Sequence, residues 1–172
     1  MSREIPLSQG MVALVDAADA DFLNQWKWCA TGGDGNGAKE VKFYAYRVET
    51  INGKQKGFMM HRVLMNAPAE KYVDHKDGNS LNNTRENLRL CTNQQNSLNS
   101  GAHKRDNATS QFKGVCWDRK LRKWRVGFRG KYVGIFNLEI EAAKAYDEKA
   151  FAFDPEFARL NFPIGGDHLK SA

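Results

Sequence analysis

Residues Val73–Asn96, VDHKDGNSLNNTRENLRLCTNQQN, decide how this chain is read. An adjacent pair, Asp74-His75, precedes a loop rich in Gly and Asn, and the segment returns to helix-start chemistry carrying Asn96. Val73-Asp74-His75 reads as the end of an extended segment and Asp77-Gly78-Asn79 as a turn. Asn82, Asn83 and Asn87 are suited to tying the loop together through backbone groups. Arg89-Leu90-Cys91 returns as a second strand, and Thr92 with Gln95 three residues later has the form of a capping box. Adjacent side chains on a regular strand face opposite ways, so Asp74 and His75 share one site only if the strand ends or bulges there.

The residue types carry a chemistry. Asp74 and Asn96 offer hard oxygen atoms suited to Mg²⁺ or Mn²⁺. His75 offers the one side chain whose ordinary pKa lies near neutral, so it can take a proton from water. A divalent metal beside a general base is the equipment for hydrolysing a phosphodiester. An Asp-His dipeptide alone is commonplace, and D-x-D-G-N alone favours a calcium-type loop or a plain turn. The spacing carried through to Asn96 favours the nuclease reading.

With its upstream MHRVLM, the stretch from about 58 to 99 resembles the HNH nucleases, closest to the phage and group I intron homing endonucleases with a D-H-x-D-G-N…N-N…E-N-L-R…N motif. The resemblance implies a ββα-metal fold. It implies that Asp74 and Asn96 bind one divalent metal at the scissile phosphate, that His75 activates water, and that Asn87 holds the loop and hence the histidine. Position 96 is Asn where many relatives have His. Within MHRVLM, His61 is read as packing under the site, and Arg62 as exposed or touching phosphate. Asp77, Asn79 and Asn83 are read as shaping the turn.

Toward the N-terminus, MVALV (residues 11–15) reads as a buried strand, and DAADADFLNQW as a turn and helix capped by Asp16 or Asp19. GGDGNG (32–37) reads as a loop, and strands are expected over 43–50 and 57–63, joined by Asn52-Gly53. This N-terminal hairpin is expected to support the site and to add phosphate contacts through Lys42, Arg47, Lys54 and Lys56.

Toward the C-terminus, polar residues 99–111 read as a linker. In KWRVGFR, Trp124, Val126 and Phe128 alternate with Arg125, Gly127 and Arg129, the period of a half-buried strand. Residues 112–115 and 131–134 flank it as partners, giving a three-stranded antiparallel sheet. A helix is expected from Asn137 as cap to about Phe153, packing through Ala142, Ala143, Tyr146 and Ala150. A twisted sheet with an open arginine face can enter the major groove of duplex DNA. Residues 112–162, with FKGV, KWRV, EAAKAYDEKAF and ARLNFP, resemble the plant APETALA/ethylene-response-factor DNA-binding domain. The resemblance implies a reading face of Lys113, Arg125, Arg129 and Tyr132, with Arg119, Arg122 and Lys131 on phosphates. Cys116 and Asp118 stand where plant members usually have arginines.

Charge and composition agree. The chain has 172 residues and a net charge of +6, concentrated between 102 and 132, where 10 Lys/Arg face 2 Asp/Glu for a local net of +8. A polyanion is the natural partner of such a block. No apolar run approaches a membrane span. Cys29, Cys91 and Cys116 form no C-x-x-C pair, which argues against structural zinc and against a disulfide framework.

The expectation is therefore an α+β protein: residues 1–99 with an N-terminal β-hairpin and an HNH ββα-metal nuclease unit, a 100–111 linker, a DNA-binding domain over 112–163 with its three-stranded sheet packed on one helix, and a 164–172 tail. It would act as a monomeric endonuclease on double-stranded DNA, with Mg²⁺ or Mn²⁺ as cofactor. A reducing intracellular setting is expected, in a bacterial or phage-infected cell. The competing expectation is a non-catalytic DNA-binding regulator working through the C-terminal sheet.

Overall fold

A computed structural model of the chain describes residues 1–33, 42–102 and 108–163. Most of the expected 32–37 loop, part of the linker and the 164–172 tail lie outside these residues. The chain divides into two compact units, Met1–Ser97 and Leu98–Ala172. The fold is mixed α and β, with four small antiparallel sheets among the described residues.

In the first unit, β1 (Ser2–Pro6) pairs with β2 (Val12–Asp16), and α1 (Ala17–Leu23) follows. Next come β3 (Cys29–Gly33), β4 (Lys42–Ile51) and β5 (Lys54–Met59) in the sheet order β3-β4-β5, then α2 (Met60–Leu64). β6 (Tyr72–His75) and β7 (Leu88–Cys91) make the last ladder, and α3 (Asn93–Asn99) follows. One apolar core runs from Ile5, Val15 and Leu23 through Ala45, Met60 and Leu64 to Val73 and Leu88. The N-terminal strands thus share their core with the hairpin that bears Asp74 and His75.

Several sequence expectations need adjustment. The strand expected over 57–63 stops at Met59, because Met60, His61 and Leu64 are buried at helical spacing and form α2. β1 and β3 carried little signal: the first buries only Ile5, and the second is CATGG, poor in β-favouring side chains. Asn52-Gly53 makes the expected turn with φ of 50° and 75°, the double left-handed pair that matches strand twist. Asp16 sits at the N-cap of α1, yet its side chain makes no capping bond; its Oδ2 accepts from the backbone N–H of Arg85 at 2.8 Å. The Thr92–Gln95 capping box does form: Gln95 N–H donates to Thr92 Oγ1 at 3.3 Å, and Thr92 N–H donates to Gln95 Oε1 at 3.0 Å.

In the second unit, β8 (Val115–Asp118), β9 (Lys123–Phe128) and β10 (Lys131–Phe136) form a sheet with β9 central, covered by α4 (Glu139–Phe153). The N-cap of α4 is Leu138 rather than Asn137 and makes no side-chain capping bond. Ala142, Ala143, Tyr146 and Ala150 are buried, and so is Val126 beneath them. The small alanines allow close approach. Asp147, not anticipated, is buried on the same helix, where its carboxylate accepts the backbone N–H groups of Asn161 and Phe162, each at 2.8 Å. That contact pins the closing LNFP segment to the helix.

Gly114 is required where it stands. Its φ is +76°, and an added Cβ would fall within the Tyr146 ring and 2.9 Å from the Gly127 carbonyl oxygen. Gly114→Ala is expected to destabilise the second unit by about 2–4 kcal/mol, from the left-handed backbone and the overpacking together. Faster amide hydrogen exchange in β8–β10, with β1–β7 unchanged, is the measurement that checks it.

Candidate active site

Three consecutive residues of β6 are buried, Val73, Asp74 and His75, so the short strand is enclosed on both faces. Val73 joins the apolar core. The two polar residues make specific partners, as buried polar groups must. β6 ends at His75, and Gly78 N–H donates back to the His75 carbonyl at 2.9 Å. The strand therefore stops where the shared site required it to stop.

Asp74 lies opposite Arg89 in the ladder. Arg89 Nε and Nη2 both donate to Asp74 Oδ2, at 2.9 and 2.8 Å, and the side chains are 11% and 6% exposed. This is a buried ion pair. Sequence reading placed Arg89 on the returning strand without giving it this partner. The signal was available, since antiparallel pairing of 75 with 88 also sets 74 opposite 89.

His75 Nε2 lies 3.4 Å from Asn83 Oδ1. His61 stands edge-on to His75 with ring centroids 5.2 Å apart, and Tyr44 lies 5.7 Å from His61 and 6.3 Å from His75. Burial lowers the His75 pKa below the ordinary imidazole value; the contact to Asn83 and the charges of Asp77 and Asp74 oppose that, while Lys42 adds to it. The ring is thus neutral near pH 7 and able to accept a proton. Burial also raises the Tyr44 hydroxyl pKa, with the Asp74 charge adding to the effect.

Asn87 is buried beside the turn. Its Oδ1 accepts from Asp77 N–H at 3.0 Å, and its Nδ2 donates to Asp77 Oδ1 at 2.9 Å and to the Asn82 carbonyl at 2.8 Å. It ties the two sides of the loop together. Asp77 in turn accepts from Asn82 Nδ2 and from Asn79 N–H. Burial alone would raise the Asp77 pKa, but these donated bonds outweigh it and hold the carboxyl below its usual range.

Asn96 lies in α3, half-buried. The neighbouring Cys91 is affected by both segments: burial first, then the Asp74 charge, push its thiol pKa up to about 11, and the backbone N–H of Asn96 opposes this by donating to the sulfur. Among the described residues no three His, Cys, Asp or Glu side chains gather as a cation-binding group. Of the two residues expected to hold a divalent cation, Asp74 offers a carboxylate and Asn96 an amide oxygen. That donor set suits Mg²⁺, which keeps waters and takes substrate phosphate oxygens for its remaining positions.

His61 is buried, and its Nδ1 has no hydrogen-bond partner among the described residues. Burial, with His75 and Arg62 adding to it, lowers its pKa to about 3. Below pH 6.5 the unfolded chain protonates this imidazole and the folded chain does not, so stability falls with acid through the window from 6.5 to 3. Between pH 7 and pH 5 the expected loss from His61 is about 2 kcal/mol. His61→Phe keeps a ring there and removes that loss; urea unfolding of both proteins at the two pH values checks it.

Arg47, expected on phosphate, and Arg62, read as exposed or on phosphate, both have protein partners. Arg47 is buried and ion-paired with Glu49, its guanidinium 4.2 Å from the Trp26 ring centroid and 4.4 Å from that of Phe58. Arg62 donates to the carbonyls of Lys71, Ala67 and Pro68, holding the loop before β6.

On the second unit, register puts Cys116, Arg125 and Ile135 side by side on the sheet face away from Val126, with Tyr132 beside Gly127. Arg125 lies 5.6 Å from the Tyr132 ring centroid, and both are exposed. Lys113 and Arg129 depart from the expected face. Lys113 Nζ donates to the Leu98 and Ser100 carbonyls, each at 2.6 Å, and burial lowers its pKa to about 8. Arg129 belongs to the β9–β10 turn with φ +52°, and its guanidinium stacks 4.1 Å from the Phe153 ring centroid of α4. Alternation ended at Phe128, so extending the strand period through Arg129 overshot by one residue. Arg119 and Arg122 occupy the exposed β8–β9 turn, and Lys131 the exposed start of β10. Trp117 packs edge-on against Trp124, centroids 5.0 Å apart.

Residues 66–98 match a family model described as HNH endonuclease. Protein 3.8 of Escherichia phage T7 is 42% identical over 62 residues, 35% of this chain and 50% of that protein. Uncharacterized HNH endonuclease L560 of Acanthamoeba polyphaga mimivirus is 41% identical over 100 residues, 55% of this chain and 49% of that protein. The chain thus spans about half the length of these curated relatives. No solved structure matches it.

Proposed function

We propose, starting from the HNH endonuclease match over residues 66–98, that the chain is a metal-dependent endonuclease acting on double-stranded DNA. One observation carries the reading: β6 ends with a carboxylate and a neutral imidazole both buried side by side, each held by a partner on the returning hairpin. Burying such groups costs stability unless they are paired, and paired buried groups with a shifted pKa gather at functional sites. In this reading β6, β7 and α3 form the ββα-metal unit, and Asp74 and Asn96 hold one Mg²⁺ or Mn²⁺. When bound, the cation supplies charge stabilisation at the phosphate and the leaving 3′-oxygen. His75 takes the proton of the attacking water. Asn87 braces the turn after β6, so the histidine stays aimed. Arg89 holds the Asp74 carboxylate in a fixed direction.

The second unit would supply affinity for the duplex. Arg125 and Tyr132 on the open sheet face are the proposed base-reading residues, with Arg119, Arg122 and Lys131 on phosphates. A tethered reader raises the local concentration of DNA at the catalytic unit. Arg125→Ala is expected to weaken duplex binding by about 1–3 kcal/mol and to flatten its salt dependence. Arg129→Ala is expected to do much less, since its guanidinium already covers Phe153. Titrating duplex DNA across a salt series compares them, and equal effects would remove the β9 face as the reader.

The decisive experiment incubates supercoiled plasmid with the protein and Mg²⁺ or Mn²⁺. Conversion to nicked or linear DNA is expected. A protein that binds the plasmid tightly and leaves it uncut with either metal is a DNA-binding regulator instead.

A further inference from the structure

We propose that Asn83 is the positioning residue of the histidine base: its amide oxygen accepts from His75 Nε2–H and so fixes the orientation and tautomer of the ring. This rests on the nuclease reading and assigns the base a partner other than Asn87.

Asn83 is 1% exposed, the most deeply buried polar side chain among the described residues. Its amide orientation is fixed by chemistry, because Nδ2 donates to the Leu81 carbonyl at 3.2 Å. Oδ1 therefore faces His75 Nε2, at 3.4 Å. An amide oxygen only accepts, and a neutral imidazole carries one N–H, so the pair is satisfied only by the Nε2–H tautomer. Such contacts are often long in a substrate-free site and tighten when it is filled. Asn87, by contrast, spends its amide on Asp77 and the Asn82 carbonyl.

The N-terminal strands hold Asn83 in place. Asn83 N–H donates to the Leu14 carbonyl at 2.7 Å, and Leu14 N–H donates to the Leu81 carbonyl at 2.9 Å. β2 thus grips the loop on both sides of Asn82, the residue it pairs with in a parallel bridge. Two residues on, Arg85 is tied to Asp16 through its backbone and to Asp19 through its guanidinium, at 2.7 and 2.8 Å. The chemical role of β1, β2 and α1 is then to aim the base from a distant part of the sequence.

The test records long-range ¹H–¹⁵N imidazole spectra of the full chain in Mg²⁺, beside plasmid-cleavage kinetics. Wild type is expected to show His75 protonated at Nε2 alone. Asn83→Leu, similar in size and without the oxygen, is expected to mix the tautomers and lower kcat roughly 10–100-fold with KM little changed, the range for a misplaced general base. Asn83→Asp keeps an acceptor oxygen and is expected to keep Nε2 protonated. An Nδ1–H tautomer in wild type overturns the proposal, and so does Asn83→Leu with tautomer and kcat unaltered. Should Asn83→Leu fail to fold, the wild-type and Asn83→Asp spectra still decide. Should the protein cut no DNA, the nuclease reading fails while the tautomer assignment stands or falls by itself.

Discussion

Replacing His75 with alanine is expected to slow DNA cleavage at least ~100-fold while duplex binding stays at the parental level. The size follows from removing the imidazole that the proposal assigns as proton acceptor. The separation of cutting from binding follows from the charge distribution, since the basic block at 102–132 lies in the other unit. The alanine also removes a ring packed against His61 and Tyr44, so some stability is lost as well. The comparison should therefore be made well below the unfolding temperature, with burst-free single-turnover rates and gel-shift affinities measured on the same preparation. Equal cleavage by the two proteins would exclude His75 as the base.

The second large effect concerns Asp74, where catalysis and stability are joined. Asp74→Ala is expected to abolish metal-dependent cleavage and also to destabilise the first unit by about 3–5 kcal/mol, because Arg89 is left buried without its carboxylate. These two losses can be separated. Replacing both partners, Asp74→Leu with Arg89→Met, removes both charges together and is expected to return stability to within about 1–2 kcal/mol of the parent. Cleavage should remain absent in that double variant. Urea unfolding read against Mn²⁺-dependent cleavage checks both halves, and a double variant that cuts DNA would show that Asp74 is not a metal ligand.

Local signals in the chain were read well where the chemistry was local. The Thr92–Gln95 capping box, the Asn52-Gly53 turn and the alanine stripe of α4 each depend on residues a few positions apart, and each appears where their side chains demand. The Asp74-His75 pair at a strand end follows from the turn residues just after it. The errors arose where a local period was carried one step too far or where a long-range partner claimed a side chain. Arg129 continues the alternation on paper but turns with Gly130; Arg47 reads as an exposed cation and instead fills an aromatic cage; Lys113 gives its ammonium to two backbone carbonyls.

By itself the sequence determined the chemistry at hand: a carboxylate, an imidazole and amides at HNH spacing, followed by a basic, sheet-forming segment. Only the tertiary structure decided which groups touch. It gave Asn83 to His75, Arg89 to Asp74, and the Asp16 carboxylate to Arg85 rather than to its own helix. The physical reason is that a buried polar atom takes its partner from whatever packs against it, and packing joins β2 to a loop more than sixty residues further along the chain.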